Sequence, residues 1–178
     1  PIHAAKTGML ANREIVEAVA NGIERFEIPN LVVDPVFTSK GGHLLLAEDA
    51  VQGLIRLLFP LADLVTPNLH EARILSGTGV ESQEDRREAA RRLHAMGPKA
   101  VLIKGGHGQG PQAEDLLFDG YEFHTFSAPR FDTPHTHGTG CTLSAASATF
   151  LARGLDLGGA VREAKRFITD AIRLSVPL

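Results

Sequence analysis

The sequence predicts an α/β fold built on a mostly parallel sheet with an added β-hairpin. Three observations carry that reading. Short runs rich in valine and leucine alternate with segments whose apolar residues recur at helical spacing, as in a sheet covered by helices. The runs are continuous rather than alternating, as expected of parallel strands buried on both faces. After the third run two strand-like stretches flank Asp119-Gly120, a favoured hairpin turn dipeptide.

In chain order, Leu31-Val32-Val33-Asp34 reads as a strand ended by Pro35, Asp63-Leu64-Val65-Thr66 as a second stopped by Pro67, and Ala100-Val101-Leu102-Ile103-Lys104 as a third stopped by Gly105-Gly106. Helical periodicity covers 12–25, with Asn12 as its cap, then 48–59, and 83–96 with Gly97-Pro98 as a stop. The hairpin is expected over 115–118 and 121–126. A glycine loop at 137–140 precedes a small-residue helix from Thr142 to about Arg153, and the last helix runs from Val161 to about Arg173. No repeat or low-complexity tract interrupts this order.

The 178 residues fit one domain, and 18 basic against 21 acidic residues leave a net charge of −3 with no basic block. That balance argues against nucleic-acid and anionic-membrane surfaces. No apolar run reaches the ~20 residues of a membrane span. The single cysteine, Cys141, has no internal disulfide partner, which fits a cytoplasmic protein. Residue 1 is proline and no signal-peptide layout follows, so the chain is expected to begin inside a larger sequence.

Chemistry concentrates in Thr136-His137-Gly138-Thr139-Gly140-Cys141-Thr142. Gly138, Thr139 and Gly140 would turn successive N–H groups toward one point. The following helix adds its unpaired N–H groups and positive dipole end, making an anion hole for a phosphate. The same spacing suits a tight turn that binds nothing. Cys141 stands where the dipole favours a thiolate, as a proton acceptor or nucleophile, or as a small packed residue. His124, His135 and His137 have no zinc spacing with it. Asp34, Asn68, Glu71 and Lys104 fall at C-terminal strand edges, where open α/β sheets bind ligands. Asn68 and Glu71, three apart, could hold magnesium through waters or simply cap a helix. Lys104, ahead of Gly105-Gly106, could reach a nucleotide phosphate or end a strand in solvent.

The block from Thr136 to Ala146 resembles the signature of the hydroxymethylpyrimidine/phosphomethylpyrimidine kinases of thiamine biosynthesis, in the ribokinase-like superfamily. Ala5-Lys6-Thr7-Gly8-Met9-Leu10, Val33-Asp34-Pro35-Val36, Leu64-Val65-Thr66-Pro67-Asn68-Leu69-His70-Glu71-Ala72, Lys104-Gly105-Gly106-His107 and Ser127-Ala128-Pro129-Arg130 match it as well, in family order. The resemblance implies a single three-layer α/β/α sandwich, N-terminally incomplete relative to the family. It implies ATP and Mg²⁺ as cofactors, a pyrimidine as the small-molecule substrate, and a homo-oligomer, most simply a dimer. On that footing Cys141 is the base and 138–140 the anion hole. Asp34 and Glu71 organise magnesium, and Thr66, Asn68, Lys104 and Gly106 lie along the nucleotide. The family's early glycine-rich run and about seventy residues have no counterpart here. Phe37-Thr38-Ser39-Lys40-Gly41-Gly42-His43 and Pro134-His135 depart from its pattern. A pyridoxal kinase and a catalytically silent binding protein of the same fold are the alternatives.

Overall fold

The computed structural model describes residues 1–36, 47–106, 108, 110–134 and 136–175; the 37–43 run, His107 and His135 lie outside them. Its centre is a six-stranded sheet whose spatial order equals chain order: β1 (Ala5–Thr7), β2 (Leu31–Val33), β3 (Leu64–Val65), β4 (Val101–Ile103), β5 (Gln112–Phe118) and β6 (Phe123–Pro129). Strands β1 to β4 pair in parallel, and β5 and β6 add antiparallel to the far edge.

That sequential order decides where the helices go. Crossovers between parallel strands are right-handed, so connections stepping in one direction all land on one face. Helices α1 (Arg13–Arg25), α2 (Glu48–Gly53), α3 (Leu69–Ser76) and α4 (Gln83–His94) are those connections. The opposite face is closed by α5 (Thr139–Ala152) and α6 (Leu157–Arg173). Successive strand side chains serve the two faces in turn. Leu31, Val33, Val65 and Ile103 pack with Val16, Leu58, Phe59 and Leu93, whereas Val32, Leu64 and Leu102 pack with Leu143, Val161 and Ile168. All three residues of β2 are therefore fully buried, which is why it reads as an unbroken apolar run. The fold is the α/β class expected, with three layers and a mostly parallel sheet carrying a hairpin.

Differences from the expected elements have local causes. Strand β1 was not expected, because Ala5-Lys6-Thr7 is short and carries a lysine; register with Leu31-Val32-Val33 makes it a strand. The 48–59 helix is not continuous: α2 gives way to a π-type turn over Leu54–Leu58 and a tight 3₁₀ turn over Phe59–Leu61 containing Pro60. Helix α3 was legible only at Asn68 and Glu71; it continues to Ser76 and ends at Gly77, whose φ of 65° is glycine's region. Helix α6 starts four residues before Val161, because Asp156 caps it by accepting the Gly159 N–H at 2.7 Å, while Gly158 and Gly159 mask the first turn in the sequence. In the hairpin, Asp119 accepts the N–H groups of Tyr121 and Glu122, which keeps Tyr121 in the turn and starts β6 at Phe123. The Asn12 cap forms as expected, accepting the Ile15 N–H at 2.9 Å.

Candidate active site

Three strand ends and one helix start converge. Asp34 directly follows β2 and is completely buried. Lys104, at the end of β4, donates from Nζ to Asp34 Oδ1 at 2.6 Å, and Lys6 on β1 places its Nζ 3.5 Å from Oδ2. Burial alone would raise the Asp34 carboxyl; Lys104 first, then Lys6, outweigh it and hold the group below the ordinary carboxylate range. Thr66 donates to Asp34 Oδ1 at 3.3 Å, and its hydroxyl lies 2.8 Å from that of Ser144. Ser144 in turn donates to the Gly140 carbonyl at 3.0 Å, so a chain of hydroxyls ties the carboxylate to the first turn of α5.

Helix α5 begins three residues earlier than expected, because Gly138 serves as its N-cap at φ 77°, a conformation natural to glycine. Gly138 has no side chain to cap with, so the N–H groups of Thr139, Gly140 and Cys141 keep no capping side chain, and the positive helix end faces the strand termini. The Thr139 hydroxyl donates to the Thr136 carbonyl at 2.9 Å and closes the loop behind it. Gly140 does something different from Gly138. It is helical, and a Cβ there would stand 3.3 Å from Lys104 Nζ, so its smallness makes room for the ammonium group.

Cys141 stays exposed, at the mouth of this cluster. The expectation that the helix start favours its thiolate needs correction. Partial burial, and then the Asp34 carboxylate, push the thiol above its usual value, with Lys6 and Lys104 offsetting only part of the effect.

These groups border a pocket of about 450 Å³. Asp34, Asn68, Glu71, Lys104, Gly106 and the 138–141 turn all line it. Thr66 does not: it is fully buried behind Asp34 and reaches the pocket only through Asp34 and Ser144. Asn68 and Glu71 form a reciprocal capping box, Asn68 Oδ1 accepting the Glu71 N–H at 2.9 Å and Glu71 Oε2 accepting the Asn68 N–H at 2.8 Å. Both the capping and the pocket-lining readings of this pair are therefore true at once.

Several lining groups were not anticipated. Lys165 on α6 donates to Asp115 Oδ2 at 2.7 Å, and Asp115 Oδ1 accepts the Gly105 N–H at 2.8 Å. Arg130 donates to the carbonyls of Gly106, Gly110 and Gln112, pinning the glycine loop after β4. Gly105 itself must be glycine, since a Cβ would fall 1.8 Å from the Glu114 carbonyl oxygen. The available signal was Asp115: a carboxylate heading the apolar Leu116-Leu117-Phe118 run on a buried strand calls for a cation nearby.

Among the described residues no three His, Cys, Asp or Glu side chains form a cage for a metal ion. That is compatible with magnesium, which keeps several waters and binds through one or two carboxylates plus substrate phosphates. Asp34 and Glu71 line the same pocket, and the buried Asp34 Oδ2 makes no hydrogen bond, so the donor set fits that mode.

A parallel sheet with a carboxylate–lysine pair at its strand ends, beside an uncapped helix start and a pocket of this size, defines an α/β protein of kinase type. The chain belongs to the phosphomethylpyrimidine kinase family, whose profile matches residues 1–178. It is 49% identical over 178 residues to the thiamine biosynthesis bifunctional protein ThiED of Geobacter sulfurreducens, covering all of this chain and 36% of that protein. It is 48% identical over 177 residues to the hydroxymethylpyrimidine/phosphomethylpyrimidine kinase of Streptomyces coelicolor, covering 99% and 65%. The chain thus spans less than two thirds of either relative. Among solved structures, the Bacillus subtilis pyridoxal kinase in complex with ADP superposes with a TM-score of 0.89 at 40% identity, over 99% of this chain and 66% of that one. The Clostridium difficile phosphomethylpyrimidine kinase gives 0.83 at 36%, over 97% and 70%.

Proposed function

We propose that the protein transfers the γ-phosphoryl group of ATP to 4-amino-5-hydroxymethyl-2-methylpyrimidine and then to its monophosphate, supplying thiamine diphosphate biosynthesis. One observation carries the reading: Lys104, the uncapped start of α5 and Cys141 face one pocket around a buried, ionised Asp34, in a chain of this family. The α5 N–H groups and Lys104 stabilise charge on the transferring phosphoryl group, the dominant requirement in such reactions. Cys141 receives the proton of the attacking hydroxymethyl group. Asp34 and Glu71 would hold magnesium through waters, and the bound ion would neutralise charge on the ATP phosphates. Asn68 and Gly106 border the nucleotide, and Thr66 positions Asp34. A cytoplasmic homodimer completes the proposal.

The test is ADP release by the natural full-length protein with the pyrimidine alcohol, its monophosphate and pyridoxal offered singly and in competition. Preferred turnover of the two pyrimidines supports the proposal; preferred turnover of pyridoxal overturns it. The pyridoxal arm is included because of the 0.89 superposition on a pyridoxal kinase.

Glu71→Gln should raise the magnesium concentration needed for half-maximal rate several-fold with little change in melting temperature. The amide oxygen of glutamine can still accept the Asn68 N–H, so the capping box survives while the charge is lost. Titrating magnesium against rate checks this; a variant that melts early with an unchanged magnesium requirement would leave Glu71 as a helix cap alone.

A further inference from the structure

The two transfers proposed above place different demands on one site. In the first, a neutral alcohol attacks: its O–H bond breaks as the new O–P bond forms, and a base takes the proton. In the second, the acceptor is a phosphate monoester carrying about −1.5 to −2 at neutral pH. Its attacking oxygen is already ionised. A bond forms from that oxygen to the γ-phosphorus, the bond to the β–γ bridging oxygen breaks, and ADP leaves with the electron pair. No base is needed, but two phosphate anions must meet, and only positive charge makes that affordable.

The charge around Asp34 matches this second demand. Two ammonium groups from different strands share one buried carboxylate, Lys104 on Oδ1 at 2.6 Å and Lys6 on Oδ2 at 3.5 Å. The cluster therefore carries one positive charge in excess before any ligand binds. The two lysines are not equivalent. Lys104 is held tightly and stands against Gly140, on the side of the α5 N–H groups. Lys6 is held loosely, with Asp34 Oδ2 making no hydrogen bond, and its side chain keeps 18% of its surface exposed. The charge of Lys6 also acts on the Cys141 thiol more strongly than that of Lys104 does. Lys6 thus lies toward the acceptor, since the attacking oxygen must sit beside Cys141. Gly8, where a Cβ would approach Lys6 Nζ to 3.2 Å, leaves that ammonium room.

We propose that Lys6 receives the phosphate of the monophosphate acceptor and is required for the second transfer more than for the first. This inference rests on the pyrimidine-kinase reading. The test compares Lys6→Met and Lys6→Arg with the parent in the natural full-length protein, measuring ADP release with the alcohol and with the monophosphate. In Lys6→Met the ratio of kcat/KM for monophosphate over alcohol should fall about tenfold or more, the scale of one charge-assisted contact. The loss should appear largely as a raised KM for the monophosphate, and Lys6→Arg should recover most of the ratio. A general loss of folded protein scales both substrates alike and cannot move that ratio. If the parent is active on both and Lys6→Met lowers both constants equally, Lys6 only supports Asp34 and the proposal falls by itself. If the parent releases no ADP with either pyrimidine, the pyrimidine-kinase reading falls and takes the role of Lys6 with it.

Discussion

Cys141→Ser should lower turnover on the hydroxymethyl acceptor by about 10²–10⁴-fold, the usual contribution of a general base, while nucleotide affinity stays nearly intact. Cys141 is the ionisable side chain in the 138–142 turn, next to both the α5 N–H groups and Asp34. Serine keeps the shape of the helix start and its N–H groups, so the phosphate cradle survives. A hydroxyl, however, is a far weaker acid than a thiol and does not hold the anionic form. Burial and Asp34 raise the thiol, which makes its anion scarcer but a stronger proton acceptor once formed. The loss should be smaller with the monophosphate, whose attacking oxygen has no proton to give up. Cys141→Asp should restore part of the rate. With Lys6 and Lys104 both facing Asp34, the cluster has one uncompensated positive charge, so a second carboxylate there is balanced rather than repelled. Steady-state rates on the full-length protein check all three. Parental turnover in Cys141→Ser would make the thiol a packing residue and send the search for a base elsewhere.

How far the sequence could be read depended on the range of the interactions involved. The three central strands were legible because burial on both faces writes a continuous apolar run, as in Leu31-Val32-Val33. The Gly138–Cys141 turn was legible because a helix start and its glycine cap are local chemistry. Strand β1 was not, since three residues including Lys6 become a strand only by pairing with β2, some 26 positions away. For the same reason the site's lysine arithmetic was invisible. Lys6 and Lys104 meet at Asp34 across sequence distances that no motif spacing reports, and Lys165 meets Asp115 likewise. Thr66 shows the converse. Its place at a strand end suggested contact with a ligand, but the β2–β3 register and α5 bury it, and it holds Asp34 instead. The direction of the Cys141 shift also required structure, because the dipole is local whereas the carboxylate opposing it arrives from another strand.

Gly140→Val should abolish the rise in melting temperature that ATP with magnesium gives the parent, while the ligand-free fold persists. At a hundredfold excess over Kd a ligand contributes about 2.7 kcal/mol, or roughly 5–10 °C for a domain of this size. The parent should show a shift of that order. At Gly140 a Cβ would stand 3.3 Å from Lys104 Nζ and 3.7 Å from its Cε, and the two methyl groups of valine reach further into the space that the ammonium group and a phosphate must share. The neighbour is the far end of a flexible side chain rather than backbone, so Lys104 can swing aside and the protein still folds. Gly140 is already helical, and a β-branched residue there costs only tenths of a kcal/mol in propensity. Asp34 keeps Thr66 and Lys6 as partners when Lys104 moves. Gly140→Ala should behave differently, because its single methyl group asks Lys104 to give by only a few tenths of an ångström; part of the shift should remain. Differential scanning fluorimetry of the parent and both variants, with and without ATP and magnesium, separates the cases. A full shift in Gly140→Val would mean that phosphate does not bind between Lys104 and the start of α5, and the anion hole would have to be given up.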